Sequence, residues 1–189
     1  DHFEPTGQWF RTATHEHAWT IEHAGEFTDD FWFMDQDNRS VQASGGPWIL
    51  NQGAATGTVI GGNLGTLHLL QGGEFMPSLH GAMLFIEEDS SEDIHEIARK
   101  LASFLQSPSA AGLTGLAIGR FQRQSGITRS LLEQVIAKHP ILQRIPVVAN
   151  LDFGHTSPMF TLPIGGYARL STGDDSVQLH FAHSQDQLG

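Results

Sequence analysis

The stretch Asp152-Phe-Gly-His155-Thr-Ser-Pro-Met-Phe-Thr-Leu-Pro-Ile-Gly165 decides how the chain is read. It places a histidine on a glycine turn directly after an apolar run, Ile145-Pro-Val-Val-Ala149, that has the length and composition of a buried strand. A histidine in that setting stands at the C-terminal edge of a strand, where open α/β sheets gather their ligands. Upstream, a second apolar run, Ala82-Met-Leu-Phe-Ile86, ends in Glu87 and Glu88. A carboxylate and an imidazole at the ends of two strands of one sheet are placed as the orienter and the base of a hydrolytic triad could be. A strand-end acid also serves as a solvated residue or a helix cap, and a turn histidine as a loop bond. No serine in the chain has the strand-turn-helix setting of a nucleophile. Ser44, in Ala43-Ser-Gly-Gly46, comes nearest, but it has no strong strand before it and is rejected.

Working outward, residues 1–48 read as an aromatic-rich arm or linker, and 49–189 as an α/β domain. All four tryptophans, Trp9, Trp19, Trp32 and Trp48, lie in the arm without a sustained period. So aromatic a segment must pack on something, whether its own core, another domain or a second subunit in a homodimer. Beyond it, strands are expected at about 58–60, 82–87, 114–119 and 145–149. Gly61-Gly62 reads as a turn into a helix over about 63–71. Asp89-Ser-Ser reads as the opening of a second helix, with Ile94, Ile97, Leu101 and Phe104 at helical spacing. Ser130-Leu-Leu-Glu133 is a capping-box pattern for a helix over about 129–138. Alternation over Tyr167–Ser171 and Ser176–Phe181, with a Gly-Asp-Asp turn between, predicts a hairpin. The expected fold is α/β: a mainly parallel sheet with covering helices and a C-terminal antiparallel hairpin.

Composition narrows the function. A formal charge of −11 with ten Lys and Arg argues against nucleic acid and against an anionic membrane surface. There is no apolar run of transmembrane length, and no cysteine, which fits a cytoplasmic protein. His15-Glu-His17 and His23 are close in sequence but form no recognised ligand spacing, so no metal and no cofactor is expected. Gly61-Gly62-x-x-Gly65 imitates a dinucleotide-binding turn with its first gap missing, a weak signal for a nucleotide-binding module.

Three blocks, Val59-Ile-Gly-Gly-Asn-Leu64, Met83-Leu-Phe-Ile-Glu-Glu88 and Gly154-His155-Thr156 running to Leu162-Pro-Ile-Gly165, resemble the C-terminal half of the LD-carboxypeptidase and microcin C self-immunity peptidases. They occur in the family's order, over roughly residues 40–172, and the last looks closer to the self-immunity branch. The resemblance implies the family's swivelling β/β/α-like C-terminal domain. It implies a serine–glutamate–histidine triad, with Glu87 and His155, 68 residues apart, as its last two members. The serine and the oxyanion donors belong to the family's N-terminal nucleophile domain, which has no counterpart here and would be this chain's partner. Supporting roles fall to Asn63, to Glu88 as a helix cap or neighbour, and to Asp152 and Thr156 as bonds to the histidine loop. Trp32 and Trp48 are weaker candidates for stacking a substrate ring. The implied reaction is hydrolysis of an amide near a free carboxylate, in a peptide or a peptidyl-nucleotide conjugate, with this chain alone inactive. The rival is a non-catalytic ligand-binding or interaction domain of the same fold. A working pair demands that a Glu87 oxygen lie within hydrogen-bond reach of a His155 ring nitrogen.

Overall fold

A computed structural model describes residues 4–31, 33–35 and 37–188. Its centre is an eight-stranded sheet. In chain order the elements are α1 (Glu4–His15), β1 (Ala18–Ile21), β2 (Glu26–Phe27), β3 (Gln42–Ala43), β4 (Trp48–Asn51), β5 (Ala54–Asn63) and α2 (Leu64–His68). Then come β6 (Ala82–Glu87), α3 (Ile94–Leu105), β7 (Gly115–Gly119), α4 (Arg129–Ile136), β8 (Val147–Leu151), β9 (Tyr167–Thr172) and β10 (Val177–Ala182). The sheet runs β1-β10-β9-β5-β6-β7-β8-β4, and β2 and β3 form a separate ribbon.

The four strands β5 to β8 are parallel, and antiparallel strands flank them on both sides. Strand β5 joins the two regimes: its first half pairs antiparallel with β9 and its second half parallel with β6. All residues of β6, β7 and β8 are buried, because apolar layers cover both faces of the parallel part. Alternate side chains serve the two layers. Leu84, Ile86, Leu116, Ile118, Val147 and Ala149 meet α3 and α4, through Ile97, Leu101, Phe104, Leu132 and Ile136. Met83, Phe85, Ala117 and Val148 face the other way, onto Trp19, Phe153, Phe160 and Phe181. Each fully buried aromatic or branched side chain contributes about 1.5–3 kcal/mol from its transfer out of water. No described helix is long and apolar enough to cross a membrane.

The segment before residue 49 is tied into this sheet rather than standing apart as an arm: β1 forms one edge and β4, starting at Trp48, forms the other. Trp19 is buried beside Phe181, and Trp9 packs edge-on against Phe160. Other boundaries differ from expectation for local reasons. Gly61 and Gly62 lie inside β5, not in a turn. A Cβ at Gly61 would stand 2.1 Å from the Phe85 carbonyl oxygen, so the glycine lets β5 approach β6 closely. Strand β8 begins two residues later than predicted, after Pro146, which has no N–H for the ladder. Helix α3 is capped by Asp93, which accepts from the amides of His95 and Glu96, rather than by the Asp89 turn. Helix α4 is capped by Thr128 accepting from Leu131; Ser130 and Glu133 form no capping box, and Glu133 pairs with Arg129 instead.

Candidate active site

Glu87 is the last residue of β6 and emerges at the C-terminal edge of the parallel strands. Glycines border it on two sides. A Cβ at Gly119, the end of β7, would come within 2.9 Å of the Glu87 Cβ. A Cβ at Gly154 would come within 2.8 Å of Glu87 Oε2, and Gly154 itself has φ +103°, a backbone state that side chains disfavour. The carboxylate therefore sits in a slot that only glycine neighbours leave open.

His155 rides on the loop that leaves β8. The loop is anchored at both ends by backbone bonds, Phe153 N–H to the Leu151 carbonyl and Phe160 N–H to the Asp152 carbonyl, each 2.8 Å. Phe153 and Phe160 turn inward with ring centres 5.4 Å apart and fix the loop to the core. Residues from the N-terminal segment hold its outer side. Thr28 and Ser157 exchange a pair of backbone bonds of 2.8 Å, and the Thr6 hydroxyl accepts from the Met159 amide. On this support His155 Nδ1 lies 2.6 Å from Glu87 Oε2. The His155 side chain is 43% exposed and Glu87 only 10%, so the carboxylate is shielded while the ring reaches the surface. With Nδ1 donating to the carboxylate, a neutral ring leaves the Nε2 lone pair free to accept a proton.

The other expected residues are arranged around this pair in a different way from the sequence reading. Asn63 does not reach Glu87 or His155. Its carbonyl oxygen caps α2 by accepting from the Thr66 amide, and its amide donates to Glu88 Oε2 at 2.9 Å. Glu88 is buried and also accepts from the Gly65 amide and from Lys100 Nζ at 3.2 Å, so it ties α2 to α3 behind Glu87. Burial would pull the Lys100 ammonium down, but hydrogen bonds to Glu92 and Glu88 outweigh it and hold the group above its ordinary value. Asp152 is fully buried, and its carboxylate bonds the Ala24 amide at 3.0 Å and pairs with Arg120, not with its own loop. The Thr156 hydroxyl is buried and makes no hydrogen bond. Trp48 packs partly buried against the helix-covered core, a packing position rather than a stacking platform. Trp32 lies outside the described residues.

Beside the pair, the Asp89 carboxyl is held below its ordinary value, first by the Ser91 hydroxyl and amide and, less strongly, by the charge of His155. An open cavity of about 450 Å³ lies between the loop at 29–39 and the exit of β7, lined by Asp29, Phe31, Met34, Gln122 and Arg123 among others. Neither Glu87 nor His155 lines it, so the chemistry of the pair is not enclosed there. Gln122 connects the two regions, since its side-chain oxygen accepts from the Ser90 amide at 2.9 Å. Among the described residues no group of three or more His, Asp or Glu side chains is placed to hold a metal ion. Arg120, Gly119 and Lys100 carry much of the site's support and were not singled out from sequence. The signal for Arg120 was a charged residue directly after an apolar strand.

Known proteins resemble this chain in sequence and in fold. The family model for the LD-carboxypeptidase C-terminal domain matches residues 56–170. The carboxypeptidase-family protein YocD of Bacillus subtilis is 43% identical over 150 residues, covering 79% of this chain and 46% of YocD. The microcin C7 self-immunity protein MccF of Escherichia coli is 36% identical over 116 residues, covering 60% of this chain and 33% of MccF. Among solved structures, an MccF-like protein from Bacillus anthracis superposes with a TM-score of 0.92 at 34% identity, covering 97% of this chain and 57% of that one. The chain thus spans about half the length, or less, of the curated relatives it matches. A matched domain model over most of the sheet, a relative 43% identical over most of the chain and a superposition over nearly all of it give one conclusion: the chain belongs to the LD-carboxypeptidase C-terminal domain family.

Proposed function

We propose that this chain supplies the glutamate and histidine of a serine peptidase of the LD-carboxypeptidase and self-immunity type. The observation that carries the reading is the 2.6 Å contact between Glu87 Oε2 and His155 Nδ1. The core does not require it. Strands β6 and β8 are not neighbours, Glu87 sits at the end of β6, and His155 lies on the loop beyond β8 rather than in a packed layer.

The nucleophile is a serine outside these residues, in a preceding domain that also carries the oxyanion donors. In the acylation step His155 Nε2 takes the proton from that serine hydroxyl as its oxygen attacks the substrate carbonyl. The imidazolium then gives the proton to the leaving amine nitrogen as the amide bond breaks. Water attacks the resulting ester with the same ring as base, releasing the carboxylic acid and restoring the serine. Glu87 holds Nδ1–H throughout and stabilises the imidazolium, while Glu88, Lys100 and Asn63 keep its strand end in place. The substrate class is an amide near a free carboxylate, in a peptide or a peptidyl-nucleotide conjugate. Kinship with both carboxypeptidase-named and self-immunity relatives supports this breadth.

The test uses two proteins: the 189-residue chain and the protein with its preceding domain. Hydrolysis and serine-phosphonate labelling are expected only of the second. Stoichiometric labelling of a serine within the shorter chain would overturn the reading.

A further inference from the structure

Asp152 is fully buried three residues before His155, and its charge has to be compensated inside the protein. Arg120 provides the compensation. Its Nη2 atom stands 2.7 Å from Asp152 Oδ1 as a close ion pair, off the line of a straight hydrogen bond. The same guanidinium donates through Nε to Asn150 Oδ1 at 3.1 Å and lies 4.5 Å above the Phe27 ring. Asn150 has a φ of +60° and donates to the carbonyls of Ser44 and Gly46, so it locks the end of β8 to the N-terminal segment. The Arg120 amide donates to the Leu151 carbonyl, which joins β7 to the last residue of β8. One side chain thus joins the end of β7, the end of β8, the N-terminal segment and the root of the histidine loop. The other titratable neighbour of Asp152 is His23, whose Nδ1 is 3.5 Å from Oδ2.

We infer that Arg120 is a positioning residue for the His155 base, acting through Asp152: the buried ion pair sets the height of the loop at which His155 meets Glu87. The inference rests on the Glu87–His155 reading above. Without the guanidinium, Asp152 is left as an uncompensated buried anion. It either takes a proton or moves toward water, and the short loop carries His155 with it. Glu87 is fixed from the other side by Glu88 and the glycine slot, so it does not follow. The contact opens on the histidine side.

The experiment reads the tautomer of His155 in the 189-residue chain by two-bond ¹H–¹⁵N correlation, with the rings neutral at alkaline pH. His155→Asn assigns the signal. The native chain is expected to show the proton on Nδ1, and Glu87→Ala to lose that preference. Arg120→Met is expected to lose it as well, while Arg120→Lys, which keeps the charge, retains part of it. Arg120→Met combined with Asp152→Asn, which leaves no buried charge unpaired, is expected to recover more than Arg120→Met alone. An unchanged Nδ1–H tautomer in folded Arg120→Met overturns the inference. If that variant does not fold, an Arg120→Lys signal indistinguishable from native overturns it equally. Absence of the Glu87-dependent signal in the native chain would instead remove the active-site reading. Lack of hydrolysis by the longer protein would count against the reaction and leave the tautomer result standing.

Discussion

Glu87 Oε2 meets His155 Nδ1 at 2.6 Å across the end of β7, the strand that separates β6 from β8. β7 permits the contact because it ends in Gly119, whose missing side chain is the gap through which the carboxylate reaches. Glu87→Gln keeps the shape but presents an amide donor, which favours the tautomer with the proton on Nε2. In the protein with its preceding domain, that ring cannot take the serine proton. We expect kcat to fall by roughly four orders of magnitude with KM little changed, as when a triad's orienting carboxylate becomes an amide. Steady-state kinetics checks this, and a loss of less than about ten-fold would show that Glu87 does not orient the base.

Gly154→Ala tests the slot from the loop side. The new methyl would need a positive-φ backbone and would fall 2.8 Å from Glu87 Oε2. Strain of this kind costs about 1–3 kcal/mol, so the denaturation midpoint should drop while the sheet persists. The same substitution should abolish the Nδ1–H tautomer of His155, because loop and carboxylate cannot both stay. A native tautomer in the folded variant would show that the slot tolerates a side chain.

The fold was legible where chemistry is local. Ala82–Ile86 and Leu116–Ile118 are apolar on both faces, and only a doubly covered strand accepts that. Glu87 was legible because it ends such a run, and His155 because it stands on a glycine turn just after one, each within a motif block. What was not legible depends on partners distant in sequence. The segment Glu4–His15 contains Gly7 and three threonines and has no apolar period; it is helical because Ala13 and Trp9 dock on the core beside Phe160. Arg120 and Asp152 are separated by two further elements, so nothing local announces their pairing. Asn63 illustrates the middle case: asparagine before Leu64 is a recognisable helix cap, but its bond to Glu88 follows from β5 and β6 lying side by side.

Trp48 offers a test of packing against recognition. It opens the edge strand β4, pairs with Ala149 in register and leans on the helix-covered core. Trp48→Ala should destabilise the chain by less than the roughly 3–5 kcal/mol of a fully buried aromatic, with m-value unchanged. In the longer protein KM should stay within about two-fold of native when kinetics are measured below the unfolding transition. A selective rise in KM with native stability would return Trp48 to the substrate.

Stability should fall in two steps on acidification. His139, partly buried and near Lys138, holds its ring below the ordinary value of 6.5, burial being the larger cause. The unfolded chain therefore takes up a proton first. His139's contribution is complete above 6.5 and is lost as pH falls toward its folded value. The second step belongs to carboxyls held below 3.8, Asp29 among them. Burial would push the Asp29 carboxyl up, but the Arg123 side chain and amide, donating at 2.6–3.1 Å, outweigh burial and hold it below 3.8. Its contribution is present above 3.8 and is lost as pH falls through the lower folded value. Asp30 is also held low, by the Ser40 hydroxyl and amide, so the loop over 29–40 is fastened by carboxylates at both points. Urea unfolding across the acid range should show His139→Gln flattening the first step alone and Asp29→Asn reducing only the second. The Asp29 step should involve the loop around the 450 Å³ cavity before the sheet, so Met34 and Arg123 signals should shift at a pH where those of Phe85 and Leu116 do not. A single cooperative step, unaltered by either substitution, would show that neither group is linked to folding.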